Sequence, residues 1–454
     1  MTSAKTSFYP SLVRLALPIS LQNLIAFTVN FADNIMVGRL GDLAISGVFI
    51  GNQIHMLLQL IVGGIGTALV ILATQYWGRK DTGSVKAISA ICFWAAVCAG
   101  IVFTLFSSFF TSRVAGFIST KPDVIESAIP YLRITGFSFV FFAVSQVLIA
   151  SLRSVENVRF GMNAALLALC VNISLNYTLI FGRFGFPAMG VTGAALATLI
   201  SRIIECIVVA VYVFRFDKRI ALALKDLFRL EKSFINDLLR YGSPVVAGEL
   251  VWAANAFAYT IIVGRFPADT VASFNITGMM NTLVYIWMSG LAAAVGIMTG
   301  KKVGAGETVA AIKPYAYRIQ RFFICVGIVT GLFVFFAKDI LISFYNISPE
   351  AAAGSGRLMT VLSVTIVGTA YQMTSLFGLV KSGGDISFVF KNDMIFVFLV
   401  VIPSAVIALG AGAPAWVVFL CLKCDQILKC CVAVVVVNRY KWIKNLTKTA
   451  SVEH

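Results

Sequence analysis

Leu12-Val13-Arg14-Leu15-Ala16-Leu17-Pro18 returns later in the chain as Leu238-Leu239-Arg240-Tyr241-Gly242-Ser243-Pro244. With no gap, Phe31-Ala32-Asp33-Asn34-Ile35-Met36-Val37-Gly38-Arg39 returns as Phe257-Ala258-Tyr259-Thr260-Ile261-Ile262-Val263-Gly264-Arg265. The offset is 226 residues, and ten of the 28 positions from 12 to 39 are identical, among them a proline, a glycine and two arginines. Shared apolar bias does not place those residues, so the chain is an internal duplication. A second echo sits at the loop after the fourth predicted span. There Arg153-Ser154-Val155-Glu156-Asn157 answers Lys381-Ser382-Gly383-Gly384-Asp385 at an offset of 228.

The duplicated unit is apolar. Hydrophobic residues make up 59% of the 454, charged residues 12%, and mean hydropathy is +0.91. A soluble domain carries about a quarter charged residues, so this chain needs lipid as solvent. The apolar runs are long and lack the polar alternation of barrel strands, which argues for helices. Twelve spans are expected, at 11–38, 44–75, 86–111, 127–152, 160–182 and 190–214, then 237–264, 270–300, 314–337, 354–380, 387–410 and 413–438. Six spans per repeat set both halves the same way up, a parallel repeat about an axis along the membrane normal. The expected fold is therefore all-α integral membrane, with six-helix lobes at 1–215 and 237–454 and a cytoplasmic connector at 216–236. The connector's Lys225-Asp226-Leu227-Phe228-Arg229-Leu230 is amphipathic and reads either as an interfacial segment or as a solvated linker.

The net charge of +16 does not point to nucleic acid, because the basic residues lie in short loops between apolar segments. With a cytoplasmic N-terminus, twenty Lys and Arg fall in inner loops and the tail and six in outer loops. The positive-inside rule then places both termini in the cytoplasm of a multi-pass protein of the cell (inner) membrane. The first span is too long for a signal h-region, and no cleavable signal is expected. Nine scattered cysteines form no framework. Cys421 and Cys424 make a CxxC inside an apolar span with no second ligand pair, and read as small buried hydrophobes.

Ionisable groups within spans are expensive and are functional candidates by default. Asp33 lies about 9 Å below the outer end of the first span. Asn172 and Asn176 share one face of the fifth, and Thr198 lies at similar depth in the sixth. Together they permit an oxygen-rich cluster around one carboxylate, suited to H⁺ or to a hard cation such as Na⁺. The competing reading is that Asn and Thr only bridge helices. Glu249, near mid-membrane in the seventh span, either meets a cationic substrate or makes a structural hydrogen bond. Arg202 with Glu205, and Asp425 with Lys429, are spaced to neutralise each other. Lys423 has no assigned partner, and His55 reads as a packed residue. No metal-ligand spacing, nucleophile motif or phosphate loop appears, and neither a catalytic residue nor a cofactor is expected.

With these residues in view, the sequence resembles the multidrug and toxic compound extrusion (MATE) family over about residues 10–440. The segment from Val29 to Gly41 looks like its first-helix signature. Leu152 to Asn157 looks like a degenerate form of its Arg-Gly-x-Gly-Asp loop. Asn172-Ile173-Ser174-Leu175-Asn176 with Ile180-Phe181-Gly182, then Gly190 to Thr198, look like its fifth and sixth helices. The resemblance implies an antiporter, not an enzyme, that exports small organic and often cationic compounds in exchange for H⁺ or Na⁺, acting as a monomer in lipid. It also implies a coupling role for the first-helix carboxylate, here Asp33. Some members carry Asp where this chain has Asn176. The tenth-span Asp of NorM-type members is missing from Thr369-Ala370-Tyr371-Gln372, and Glu249 is offset by about a turn from their seventh-helix Glu. The second lobe is accordingly expected to be poor in ion-binding groups. A flippase for a lipid-linked saccharide is the alternative, disfavoured by the scarcity of intramembrane Arg and Lys. A membrane enzyme lacks a clustered constellation. A channel is disfavoured by the uneven polar content of the two halves.

Overall fold

A computed structural model describes residues 8–345 and 347–447; Lys448 and the two chain termini, on which the orientation expectation partly rests, lie outside these residues. Among the described residues the ordered elements are helices. In the first repeat they are α1 (Phe8–Gly38), α2 (Asp42–Gly78), α3 (Thr82–Phe109), α4, α5 (Val158–Phe181) and α6 (Gly190–Phe216). The fourth is broken into Pro122–Thr135 and Ser138–Ser154, bent by 50°. In the second repeat they are α7 (Lys232–Val263), α8 (Ala268–Gly304), α9 (Val309–Ser343), α10 (Pro349–Lys381), α11 (Ile386–Gly410) and α12 (Ala415–Arg439). Ten are individually long and apolar enough to span a bilayer, and α4 does so as a bent pair. The 25-residue α12 is the twelfth span of the expected fold. Its hydropathy is diluted by Lys423, Asp425 and Lys429 within one stretch.

The duplication extends to backbone detail. Helices α2 and α8 are both 37 residues long and begin and end 226 residues apart. Lys80 (φ 63°) and Gly306 (φ 75°), again 226 apart, both take the left-handed conformation just past those helices. Glu156 (φ 63°) and Gly384 (φ 112°) do so in the second echo. At Gly384 a side chain has no room, because a Cβ would meet the Lys444 backbone.

The chain forms two compact units, one of residues 21–246 and the other of residues 1–20 with 247–454. The divisions fall at Ser20 in α1 and Val246 in α7, equivalent positions in the repeat, each two residues after a proline (Pro18, Pro244). In the first unit, Ile50, Ala115, Ala128 and Leu132 form one packed cluster, and Val37, Val48, Tyr131 and Ile180 another. In the second, Phe274, Leu358, Leu362, Val401 and Phe419 pack together.

The connector is tied to the first unit. Its short 3₁₀ turn Leu224–Phe228 holds Asp226 against the Ala223 N–H (2.9 Å) and the Lys86 ammonium (3.0 Å). The Trp94 indole N–H donates to the Leu227 carbonyl at 2.8 Å. The solvated-linker reading does not describe a segment held on α3 through Lys86 and Trp94.

Candidate functional site

Helix α1 carries Asp33 on a partly buried face, and α5 presents Asn172 and Asn176 one turn apart. The Asn176 side-chain amide donates both to Asp33 Oδ1 and, at 3.1 Å, to Asn172 Oδ1. Three of the four residues expected to cluster are thus joined by hydrogen bonds. The fourth, Thr198 of α6, is not joined to these three by a side-chain hydrogen bond among the described residues; the Tyr131 hydroxyl of α4, which its sequence context does not single out, lies near both Thr198 and Asp33. Tyr131, Asn172 and Asn176 are almost fully buried. Two polar atoms in this nest, Asn176 Oδ1 and Asn172 Nδ2, have no hydrogen-bond partner among the described residues. Leaving such atoms unmet costs about 1–3 kcal/mol each, the kind of cost seen where a protein serves a site rather than its own packing.

The pairing of Arg202 with Glu205 is present at 2.7 Å. It is not self-contained, however. The Arg202 charge also reaches Asp33 and His55, and its guanidinium sits over the Phe142 ring at 5.1 Å. Asp33 therefore has a cationic neighbour contributed by another helix, which inspection of its own span alone misses. His55 packs edge-on to Phe142 with ring centroids 4.7 Å apart, as expected of a packed residue.

Glu249 belongs to the other unit. It shares an electrostatic neighbourhood with Lys381 and Asp393. The second lobe also holds an ionisable group that its sequence context does not single out. Asp393 lies in α11, about 10 Å in from its first residue, and binds Lys429 Nζ at 2.8 Å. Asp425 binds the same ammonium at 3.2 Å. Lys429 is thus shared by two carboxylates rather than neutralised within α12. Lys381, counted with the inner loops, is instead 6% exposed at the end of α10.

The side-chain oxygens of Asp33, Asn172 and Asn176, which hydrogen bonding brings together, are hard donors. They fit Na⁺ or a proton and offer no soft ligand. Among the described residues there is no grouping of three His, Cys, Asp or Glu of the kind that holds a transition metal.

The chain is similar to known transporters along its length. The MatE family profile matches residues 18–178 and 244–407. A probable multidrug resistance protein NorM of Thermotoga maritima is 24% identical over 348 residues, 75% of this chain and 72% of that protein. The uncharacterized transporter YisQ of Bacillus subtilis is 24% identical and covers 90% of both chains. Among solved structures, a MOP superfamily transporter from Pyrococcus furiosus superposes with a TM-score of 0.85 at 19% identity over 97% of this chain and 96% of that one, a likeness of fold. The family match covers both repeats and includes Asp33, Asn172 and Asn176 in the first and Glu249 and Asp393 in the second, so the chain belongs to the MatE family, the multidrug and toxic compound extrusion transporters.

Proposed function

We propose that the protein is a secondary active antiporter of the cell membrane that exports small organic, often cationic, compounds by alternating access in exchange for H⁺ or Na⁺. In this reading Asp33, Asn172, Asn176 and Thr198 form the ion-coupling site of the first lobe, and Glu249 lies on the substrate path of the second. Both termini face the cytoplasm, and the monomer in lipid is the working unit. The observation that carries the reading is the Asp33–Asn176–Asn172 chain of hydrogen bonds, running from a partly buried carboxylate to two buried asparagines.

The chemistry follows from hydrogen-bond inventory. As a carboxylate, Asp33 accepts from the Asn176 amide. As a carboxylic acid it must donate. Asn176 carries the acceptor for that donation in its Oδ1, which has no partner among the described residues. Turning one amide therefore exchanges the deprotonated arrangement for the protonated one. Na⁺ instead draws the Asp33, Asn176 and Asn172 oxygens together, a different arrangement of the same three side chains. Either ion biases the direction of opening only by its difference in affinity between the two states.

The test is export of a fluorescent organic cation from proteoliposomes under a Na⁺ gradient or a pH gradient imposed separately. Asp33→Asn is expected to abolish gradient-driven export while retaining binding of the dye. Undiminished gradient-driven export by the variant would remove Asp33 from coupling.

A further inference from the structure

In the second unit, Lys423 stands apart from the other charges. It lies about 12 Å along α12 from its first residue. Its ammonium donates to Asn281 Oδ1 of α8 at 3.2 Å and lies 6.0 Å from the centre of the Phe419 ring one turn away. Among the described residues no carboxylate oxygen lies within 4 Å of it, and Asp425, two residues on, is committed to Lys429. An ammonium has three N–H donors, and a side-chain amide two. One Lys423 donor is used here, and the Asn281 nitrogen makes no hydrogen bond among the described residues. A cation left so poorly satisfied inside a span is costly and marks a functional position.

What lies beside it has a defined shape. Tyr285 is one turn from Asn281 on α8, and its ring stacks on Trp252 of α7 with centroids 6.2 Å apart at 26°. Both rings are open, Trp252 46% and Tyr285 39% exposed, whereas Phe274 and Phe419 of the same unit are 1% exposed. On the far side of the ring pair is Glu249, one turn from Trp252 on the same face of α7. The ring contacts 259 with 274 and 252 with 285 set α7 and α8 antiparallel. Glu249 and Asn281 therefore lie on opposite sides of the stack, about 10 Å apart along the helix axes. A face bearing a carboxylate at one end and an ammonium at the other is not a lipid-facing one.

We propose that Lys423 and Asn281 form a carboxylate-recognition site beside the Trp252–Tyr285 platform, so that the exported compounds include planar aromatic molecules carrying a carboxylate, their cationic end directed to Glu249. The inference rests on the export reading above and adds a residue that selects among substrates. The carboxylate takes the spare donors of Lys423 and the Asn281 amide, and the ring system lies on the aromatic pair. A purely cationic substrate gains only the rings and Glu249.

Two dyes separate these contributions. Rhodamine 110 has a free carboxylate, and rhodamine 123 is its methyl ester with the same ring system. Both are loaded into proteoliposomes and their export is followed under an imposed ion gradient. The wild type is expected to export both. Lys423→Gln is expected to slow rhodamine 110 roughly tenfold, the worth of a charge-assisted hydrogen bond, with rhodamine 123 within about twofold. Lys423→Arg, which keeps the charge, is expected to retain most rhodamine 110 export. Unchanged selectivity in Lys423→Gln, equal loss of both dyes in both variants, or export of rhodamine 123 alone by the wild type overturns the assignment. Export of neither dye by the wild type instead counts against the export reading on which it depends.

Discussion

Asn176 of α5 donates its one side-chain nitrogen to both Asp33 of α1 and Asn172 of its own helix, so a single amide bridges the carboxylate to the second asparagine. Replacing it with a second carboxylate makes the point testable. In Asn176→Asp two carboxyl groups meet at hydrogen-bond distance, where they cannot both ionise without a shared proton or a bound cation. The variant is expected to change the apparent ion affinity of transport by about tenfold, the equivalent of one pK unit. The readout is dye export against external Na⁺ at fixed pH. An unchanged ion dependence would show that Asn176 does not act on Asp33.

Lys429 is held by Asp393 at 2.8 Å and Asp425 at 3.2 Å, with all three side chains largely buried. Removing the cation alone leaves two carboxylates uncompensated, and Lys429→Met is expected to cost about 3–5 kcal/mol. Neutralising the group together, as Asp393→Asn/Asp425→Asn/Lys429→Met, is expected to recover most of that loss. Thermal unfolding in detergent measures both. A triple variant no more stable than Lys429→Met would mean that the cost is lost packing rather than stranded charge.

How much of the site is legible in the sequence follows from how polar residues look in apolar runs. Asp33, Asn172 and Asn176 stand out against their neighbours, and the i,i+4 spacing alone puts the two asparagines on one helix face. Tyr131 does not stand out, since a tyrosine in a span reads equally as an interfacial anchor. Its place near Thr198 depends on how the bent α4 approaches α6. Asp393 is hidden by Lys391, which resembles a loop charge. The expected span 387–410 already contains the aspartate, and α11 from Ile386 bears that placement out, but its pairing with Lys429 is a tertiary contact. The Pro18 and Pro244 motifs expose the duplication directly. The division of α1 and α7 between compact units, by contrast, depends on tertiary contacts that a linear pattern does not encode.

At Gly368, α10 and α12 pass close together. A Cβ there would run into the Gln426 carbonyl, and backbone cannot yield as a flexible side chain does. Gly368→Ala is expected to destabilise by about 1–3 kcal/mol through overpacking. Gly63, in α2, has nothing within 4 Å of its added Cβ. Gly63→Ala is expected to change stability by less than about 1 kcal/mol. Melting temperatures of the two variants against the wild type decide the matter, and equal shifts would refute the close approach at Gly368.

The connector supplies the pH prediction. The Ala223 N–H, aided by the Lys86 ammonium, holds the Asp226 carboxyl below its ordinary value of 3.8 against the opposing effect of burial. A group whose pKa is depressed by folding stabilises the folded form above the unfolded value and loses that contribution as pH falls through the folded one. Amide exchange at residues 223–228, corrected for the intrinsic pH dependence, is therefore expected to be constant from about pH 7 to 5. Protection is expected to weaken only below about pH 4, as Asp226 takes up its proton and releases Lys86. Asp226→Asn keeps an acceptor for Ala223 but removes the charge. Its protection is expected to be lower than wild type at neutral pH and flat through the acid range. Identical pH profiles for the two proteins would show that Trp94 and the backbone, rather than Asp226, anchor the segment.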